Sequence, residues 1–208
     1  MRTAVRAARI IRREYWGKGK LQQTNEEQPG AAPDIPVGIV GGSAAGLFAA
    51  LLLARAGRSV RLFERTERLD PNLRTLIVTN RIRDLLGSSL ERSVVNEIRR
   101  FELFTDGRAA TIELGSPDLI IERSLLIRAL ADEAQSHGTQ LEFGRRFASL
   151  EAKGAGIEMS LAQTGPRKNG AGYERVSCSA VVGAVGAGDC KTAIGDALRY
   201  RPGMVCSR

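Results

Sequence analysis

"VGIVGGSAAGLFAALLLARAGRSVRLFER", residues 37–65, decides the fold. Val37 to Val40 is a short apolar run that ends at glycine, the pattern of a buried strand. Ala44 to Ala56 is apolar on nearly every side, which predicts a helix covered on two faces. Gly57 predicts a left-handed cap that ends this helix. Ser59 to Glu64 reads as a second strand. Strand, helix and strand in this order open a βαβ unit with a parallel sheet.

The turn between the first strand and the helix carries the chemistry. A dinucleotide turn needs one glycine for a tight bend, a second for close approach of a pyrophosphate, and a third for helix–strand packing. Gly41 stands first, Ser43 occupies the second place and Gly46 the third, giving G-x-S-x-x-G. Ser43 adds a Cβ and a hydroxyl that is able to donate to a phosphate oxygen. Gly42 and Ala45 complete the mouth, where the helix offers unpaired N–H groups and a partial positive charge. Glu64 stands 23 positions beyond Gly41 at the tip of the next strand. A carboxylate there accepts from both ribose hydroxyls and repels a 2′-phosphate. The pattern fits FAD and NAD alike and argues against NADP in this place. The bland alternative is a glycine turn that holds no ligand.

The whole chain has 208 residues, 43% of them hydrophobic, enough for one large domain or a domain plus part of another. Its formal charge of +8 is unevenly placed. Residues 1–20 hold Arg2, Arg6, Arg9, Arg12, Arg13, Lys18 and Lys20 against Glu14 alone, so the rest is nearly balanced. The folded part is therefore not expected to bind nucleic acid, while the basic tail leaves room for peripheral contact with an anionic membrane. Residues 1–35 read as a basic, disordered leader and linker, with an organellar transit peptide as the alternative of like composition. Cys178, Cys190 and Cys206 are odd in number, match no metal spacing and follow no secretory segment, which implies a reduced cytoplasmic compartment and no metal. The longest apolar run, Leu47 to Ala54, is too short to cross a bilayer.

Further along, Thr79 is expected to cap a short helix that runs through Leu86 and ends at Gly87. Val94 to Phe104 and Arg108 to Leu114 read as strands joined at Asp106-Gly107, and Asp118 to Glu122 as a separate short strand. Ser124 to His137 is a helix, with Leu126, Leu130 and Ala134 on one face and Gly138 after it. Thr139–Phe143, Phe147–Ala152, Ile157–Ala162 and Tyr173–Ala180 read as strands, "QTGPRKNGAG" as a loop, and "AVVGAVG" as a last apolar strand. His137, the single histidine, suits the negative end of its helix better than a catalytic role.

"VGIVGGSAAG" and "LFER" together resemble the N-terminal motif of the flavoprotein monooxygenase and geranylgeranyl-reductase-like oxidoreductases. Three later stretches resemble that family in order: "RTLIVTNRIRDLLG" (74–87), "IIERSLLIRAL" (120–130) and "VVGAVGA" (181–187). The resemblance covers about residues 36–200 and implies an α/β fold: a glutathione-reductase-type Rossmann FAD/NAD(P)-binding domain with a β-meander. Part of a substrate-domain sheet is expected at about residues 90–121, with partly exposed apolar faces. The resemblance further implies FAD as cofactor, NAD(P)H as reductant and a small substrate of apolar or aromatic character. It places Arg65 beside Glu64 in the "FER" motif, Arg74 near the flavin and Arg123 beside the cofactor at a helix start. Phe147 falls where such folds meet the adenine through backbone groups. Each has a plainer alternative: Arg74 as a surface arginine, Arg123 paired with Glu122 or Asp118, Phe147 as a core side chain.

The chain departs from this family in two places. Val185 stands where the family's "GADG" carries an aspartate, so a hydrogen-bond network there is weakened or replaced. The chain also reaches Arg208 before the family's later flavin-region motif, and Gly195-Asp196 comes too early to be it. The expectation is an N-terminal portion, residues 36–208, of an FAD-dependent oxidoreductase, either a monooxygenase or a double-bond reductase. The alternatives are a non-catalytic, degenerate nucleotide-binding fragment and an NAD-dependent dehydrogenase, the latter requiring regular strand–helix alternation after Glu64.

Overall fold

The computed structural model describes residues 35–69, 73–154, 156–164 and 172–185. Strand β1 (Val37–Val40) leads through the glycine turn into helix α1 (Ala44–Arg55) and then strand β2 (Val60–Phe63). Strand β3 (Thr75–Val78) and two short helices, α2 (Ile82–Leu86) and α3 (Ser88–Glu91), follow. A long hairpin comes next, β4 (Val94–Thr105) and β5 (Arg108–Glu122), and runs directly into helix α4 (Arg123–Ser136). Strands β6 (Gln140–Glu142), β7 (Arg145–Lys153), β8 (Gly156–Gln163), β9 (Tyr173–Cys178) and β10 (Ala180–Gly183) complete the described chain.

The expected parallel sheet is present, in the order β10-β1-β2-β6. Side chains alternate across a strand, and this sheet uses both faces. Ile39 and Leu62 enter one apolar cluster with Leu47, Leu51, Ile127 and Leu130 of the two long helices. Their neighbours Val40 and Phe63 enter a second cluster with Met159, Leu161, Val176 and Cys178. That second cluster belongs to the β-meander, the antiparallel sheet β7-β8-β9. The domain is thus layered as helices, parallel sheet and meander. Fully burying one such large apolar side chain contributes roughly 1.5–3 kcal/mol.

Helix α1 is covered on two sides, as its composition predicts: it packs on the sheet and against α4. Arg55 and Glu133, each in the C-terminal half of its helix, form an ion pair, which fixes α1 and α4 side by side and parallel. Glu133 also accepts from buried Ser89 of α3. On the opposite layer Arg61 reaches Glu142 at 2.6 Å and Glu174 at 3.8 Å, while Arg145 reaches Glu174 at 3.2 Å. The hydrogen bond to Glu142 holds the Arg61 guanidinium above its ordinary pKa. These pairs tie β2 and β6 to the meander.

Several local expectations are corrected. Thr79 does not cap α2: Arg81 stands at the N-cap without a side-chain bond, and Thr79 contributes only its carbonyl, to the Ile82 N–H. Residues 108–122 form one strand rather than two: pairing with β4 breaks at an irregularity between Ile98 and Arg100, opposite residues 114–117, and resumes at Asp118. Residues 75–78 form a strand that sequence pattern alone did not separate from its surroundings; it pairs antiparallel with residues 119–122. The run Tyr173–Ala180 splits at Ser179, whose N–H donates to Pro36, so β9 stays with the meander and β10 joins the parallel sheet. Most of "QTGPRKNGAG", residues 1–34, Asp189 and Gly195-Asp196 lie outside the described residues.

The β4–β5 ribbon carries the exposed apolar surface expected at residues 90–121. Phe101 opposes Ile112 and Leu103 opposes Ala110, with Phe104 74% and Leu103 55% exposed. Among the described residues no helix is long and apolar enough to cross a membrane.

The tightest packing lies at the glycine turn. A Cβ built on Gly46 would sit 2.0 Å from the Gly41 carbonyl oxygen, and backbone cannot yield as a flexible side chain does. We expect Gly46→Ala to lower the stability of the chain by about 3 kcal/mol or to abolish folding, read from urea denaturation. An unchanged midpoint would show that the helix and strand approach less closely than described.

Candidate cofactor site at the carboxyl edge of the parallel sheet

The site begins with the turn itself. Gly41 adopts φ +106, and a Cβ there would meet the Ala184 carbonyl oxygen at 2.7 Å, so glycine is required twice over. Ser43 has ordinary extended dihedrals, φ −73 and ψ 166, which explains why the second glycine of the fingerprint is dispensable here. Its hydroxyl oxygen accepts from the Gly46 N–H at 3.3 Å, the bond expected of an N-cap serine. Its proton goes to the Ala184 carbonyl at 3.0 Å, not outward to a ligand. The serine therefore clasps β10 to the turn, and its expected donation to phosphate competes with an existing bond.

Among the described residues no acceptor meets the N–H of Ala44 or Ala45, the next donors of the first helical turn. Ala45 is exposed. These two amides, with the positive end of the α1 dipole, make the start of α1 electrostatically suited to an anion. The Gly42 N–H is already engaged. It donates to Glu64 Oε2 at 2.6 Å. Glu64 Oε1 accepts from both the N–H and the hydroxyl of Thr66, at 3.0 and 3.1 Å. The acid is thus held against the turn.

A second loop supports this acid. The Gly144 N–H donates to the Thr66 carbonyl at 2.8 Å, the Arg145 N–H to the Glu64 carbonyl at 2.9 Å, and the Thr164 hydroxyl to the Arg65 carbonyl at 2.6 Å. A polar cleft of about 360 Å³ opens there, lined by Glu67, Phe143, Gly144, Arg145, Gln163 and Thr164. Phe147 sits two residues beyond Arg145, and its side chain packs on the meander cluster. Val185 packs on the same cluster, so the residue that replaces the family aspartate serves the core.

Arg74 and Arg123 come together. The Arg123 N–H donates to the Arg74 carbonyl at 2.9 Å, and the Arg74 N–H donates to Glu122 Oε1 at 3.0 Å. Glu122 is also the N-cap of α4, accepting from the Ser124 N–H at 3.2 Å. The Arg74 and Ser124 amides hold its carboxyl below the usual glutamate range. Among the described residues neither the Arg74 nor the Arg123 guanidinium has an ion-pair partner, so Arg123 does not pair with Glu122 or Asp118. Helices α1 and α4 run parallel, and both start at the carboxyl edge of the sheet. Two helix N-termini therefore share the same edge, and Arg74 and Arg123 stand at the start of α4.

His137 caps the C-terminus of α4, its Nδ1–H donating to the Glu133 carbonyl at 2.8 Å. Cys178 is buried, and desolvation raises its thiol pKa, so it is not an activated nucleophile. Among the described residues no cluster of His, Cys, Asp and Glu could hold a metal. Sequence reasoning missed Thr66, Ala184 and Glu122. The acid directly before the α4 helix was a legible cap signal, whereas Ala184 reaches the turn only through tertiary pairing of β10 with β1.

A glycine turn at a helix N-terminus, an acid at the next strand tip and strand–helix–strand order define a dinucleotide-binding domain of Rossmann type. Residues 34–197 match the FAD binding domain family, and the chain belongs to it. No curated protein sequence matches the chain. Among solved structures, the flavin-dependent monooxygenase PieE, determined with FAD and substrate, is similar at 25% identity and TM-score 0.63, over 81% of this chain and 33% of its own. p-Nitrophenol 4-monooxygenase PnpA from Pseudomonas putida DLL-E4 shares the fold at 16% identity and TM-score 0.64, over 79% of this chain and 43% of its own. Aklavinone-11 hydroxylase, determined with FAD and aklavinone, does so at 24% identity and TM-score 0.57, over 75% and 34%. The chain thus spans well under half the length of these relatives. The dehydrogenase alternative fails on the family and on topology, since antiparallel sheets rather than alternating strands and helices follow Glu64.

Glu122 stabilises this edge through a lowered pKa, so its contribution is full above the ordinary glutamate value and is lost as pH falls through the lowered one. We expect Glu122→Gln to reduce the loss of denaturation midpoint between neutral pH and pH ~3 relative to the unsubstituted chain. Equal acid sensitivity of the two proteins in urea titrations would remove Glu122 from this role.

Proposed function

We propose that this chain is the FAD-binding portion of a flavin-dependent monooxygenase that acts on a small aromatic substrate with NAD(P)H as reductant. The observation that carries the reading is the glycine turn, where the unpaired Ala44 and Ala45 amides lie beside the Glu64 carboxylate, with Arg74 and Arg123 at the start of α4. Each matches a part of the cofactor. The amides and Gly41 backbone receive the diphosphate. Glu64 accepts from the adenosine ribose, and the cleft beside it, against Gly144 and Arg145, receives the adenine. Arg74 and Arg123 lie toward the flavin end and supply positive charge for its diphosphate or for the reduced ring. When bound, the flavin supplies the redox chemistry of oxygen activation, and this chain's residues orient it.

Support for oxygenation over double-bond reduction in the geranylgeranyl-reductase manner comes from the similarity to PieE, a flavin-dependent monooxygenase. A reduced, cytoplasmic setting accords with the free, buried thiol of Cys178. The domain is taken to extend over about residues 36–208, with residues 1–35 as a basic tail. One observation favours a second reading, a domain that binds nucleotide without catalysis: Val185 is given to the core where the family has an acceptor.

The test is direct. The purified chain mixed with FAD is expected to retain flavin absorbance through gel filtration, and Glu64→Ala to weaken FAD binding about tenfold or more, since bonds to a charged acceptor are lost. Flavin-stimulated oxidation of NADH or NADPH in the presence of phenolic substrates separates an oxygenase from a passive binder. A chain that elutes colourless, with no calorimetric heat on FAD addition, overturns the proposal.

A further inference from the structure

The Glu64 carboxylate shows an accounting of donors that reaches beyond its role as ribose acceptor, though it rests on the FAD reading above. A carboxylate offers about four lone-pair positions, two on each oxygen. The Gly42 N–H occupies one on Oε2, and the Thr66 N–H occupies one on Oε1. These two backbone bonds leave one position on each oxygen, the number that a ribose diol needs for its two hydroxyl donors. Yet the Thr66 hydroxyl lies 3.1 Å from Oε1 and takes the second position there. The same hydroxyl lies 2.8 Å from the Arg68 carbonyl. A hydroxyl has a single proton, which serves one acceptor at a time.

We propose that Thr66 is a positioning residue for sugar recognition, whose hydroxyl competes with a sugar hydroxyl for Glu64 Oε1 and has the Arg68 carbonyl as its other acceptor when a ribose diol binds. The backbone amides of Gly42 and Thr66 hold the carboxylate in place throughout. The side chain contributes a competitor that only a ligand with two sugar hydroxyls must displace. A ligand with one hydroxyl is accommodated by the open position on Oε2 and leaves Thr66 undisturbed. The device therefore tunes affinity for the adenosine ribose through its 2′-hydroxyl, and its removal acts in an unexpected direction.

Thr66→Val keeps the shape and the backbone N–H and removes the competing proton. In calorimetric titration of the full chain, Thr66→Val is expected to bind FAD about threefold more tightly than the unsubstituted protein, the size of one modest hydrogen bond. Its affinity for the FAD analogue with 2′-deoxyadenosine is expected to stay unchanged, and Thr66→Ser is expected to behave as the unsubstituted chain. Thr66→Ala supplies the same comparison should valine impair folding. A merely structural threonine predicts that both ligands weaken alike in the valine and alanine variants. That result, or equal gains for both ligands, overturns the inference. Should the unsubstituted chain bind FAD in a Glu64-dependent manner while the Thr66 variants show no selective gain, only this inference falls. Should it bind no FAD at all, the function proposed above falls and takes this with it.

Discussion

The arrangement depends on one close approach, the contact of helix α1 with strand β1 at the glycine turn. Gly46 lies so near Gly41 that a methyl group has no room, and Ala184 of the segment after β10 presses on both, its carbonyl 2.7 Å from a Cβ placed on Gly41 and its own Cβ 3.1 Å from one placed on Gly46. Two segments far apart in sequence, the glycine turn and the end of β10, thus share one point of contact. Because backbone meets backbone there, the helix N-terminus is aimed along the sheet edge and not tilted away from it. Ser43 seals the junction with a cap bond to Gly46 and a second bond to Ala184. The serine is a functional part of the turn, since it supplies a fastening that glycine lacks.

From that point the alternation of strand side chains distributes the rest. Ile39 and Leu62 face the helices, and Val40 and Phe63 face the meander. At the carboxyl edge Ala44 and Val185 close the two clusters beside the polar groups of the turn. The β4–β5 ribbon obeys the same period of two with a different outcome. Phe101, Leu103 and Ile112 share one face while Arg100, Glu102 and Glu113 share the other, yet the apolar face is largely open. The outer part of the ribbon, residues 100–113, has the sequence of a sheet with one covered face yet adds nothing to either cluster, whereas Leu119 and Ile121 at its base are buried in the first.

Much of this was legible in residues 37–65, because turn chemistry and apolar periodicity there act locally. The helix, its Gly57 stop, the acid at the strand tip and the meander all follow from short-range rules. What was not legible depends on partners distant in sequence. Nothing near residues 75–78 marks them as a strand; they become one because residues 119–122 offer a ladder. Ser43 looked free to face a phosphate because its acceptor, Ala184, lies 141 positions away. The adjacency of Arg74 and Arg123 likewise arises only once β3 pairs with β5 and brings the end of one loop to the start of α4.

The electrostatics of the edge show why such a division of labour holds an extended anionic cofactor. A diphosphate carries negative charge in the middle of the ligand, so positive potential is needed there and a negative group must be kept to one end. Helix α1 supplies the first with its amides, and α4 adds its own positive end with Arg123 at its first residue. The negative group, Glu64, is fastened to the outer side of the turn by Gly42 and Thr66, so its charge is offset by hydrogen-bond donors before any sugar arrives. Glu122, the other acid of the site, is committed to the Arg74 and Ser124 amides and leaves the two guanidiniums unneutralised. Both carboxylates are thereby prevented from cancelling the field that the phosphates need, and each does so by satisfying backbone groups that the fold would otherwise leave without acceptors.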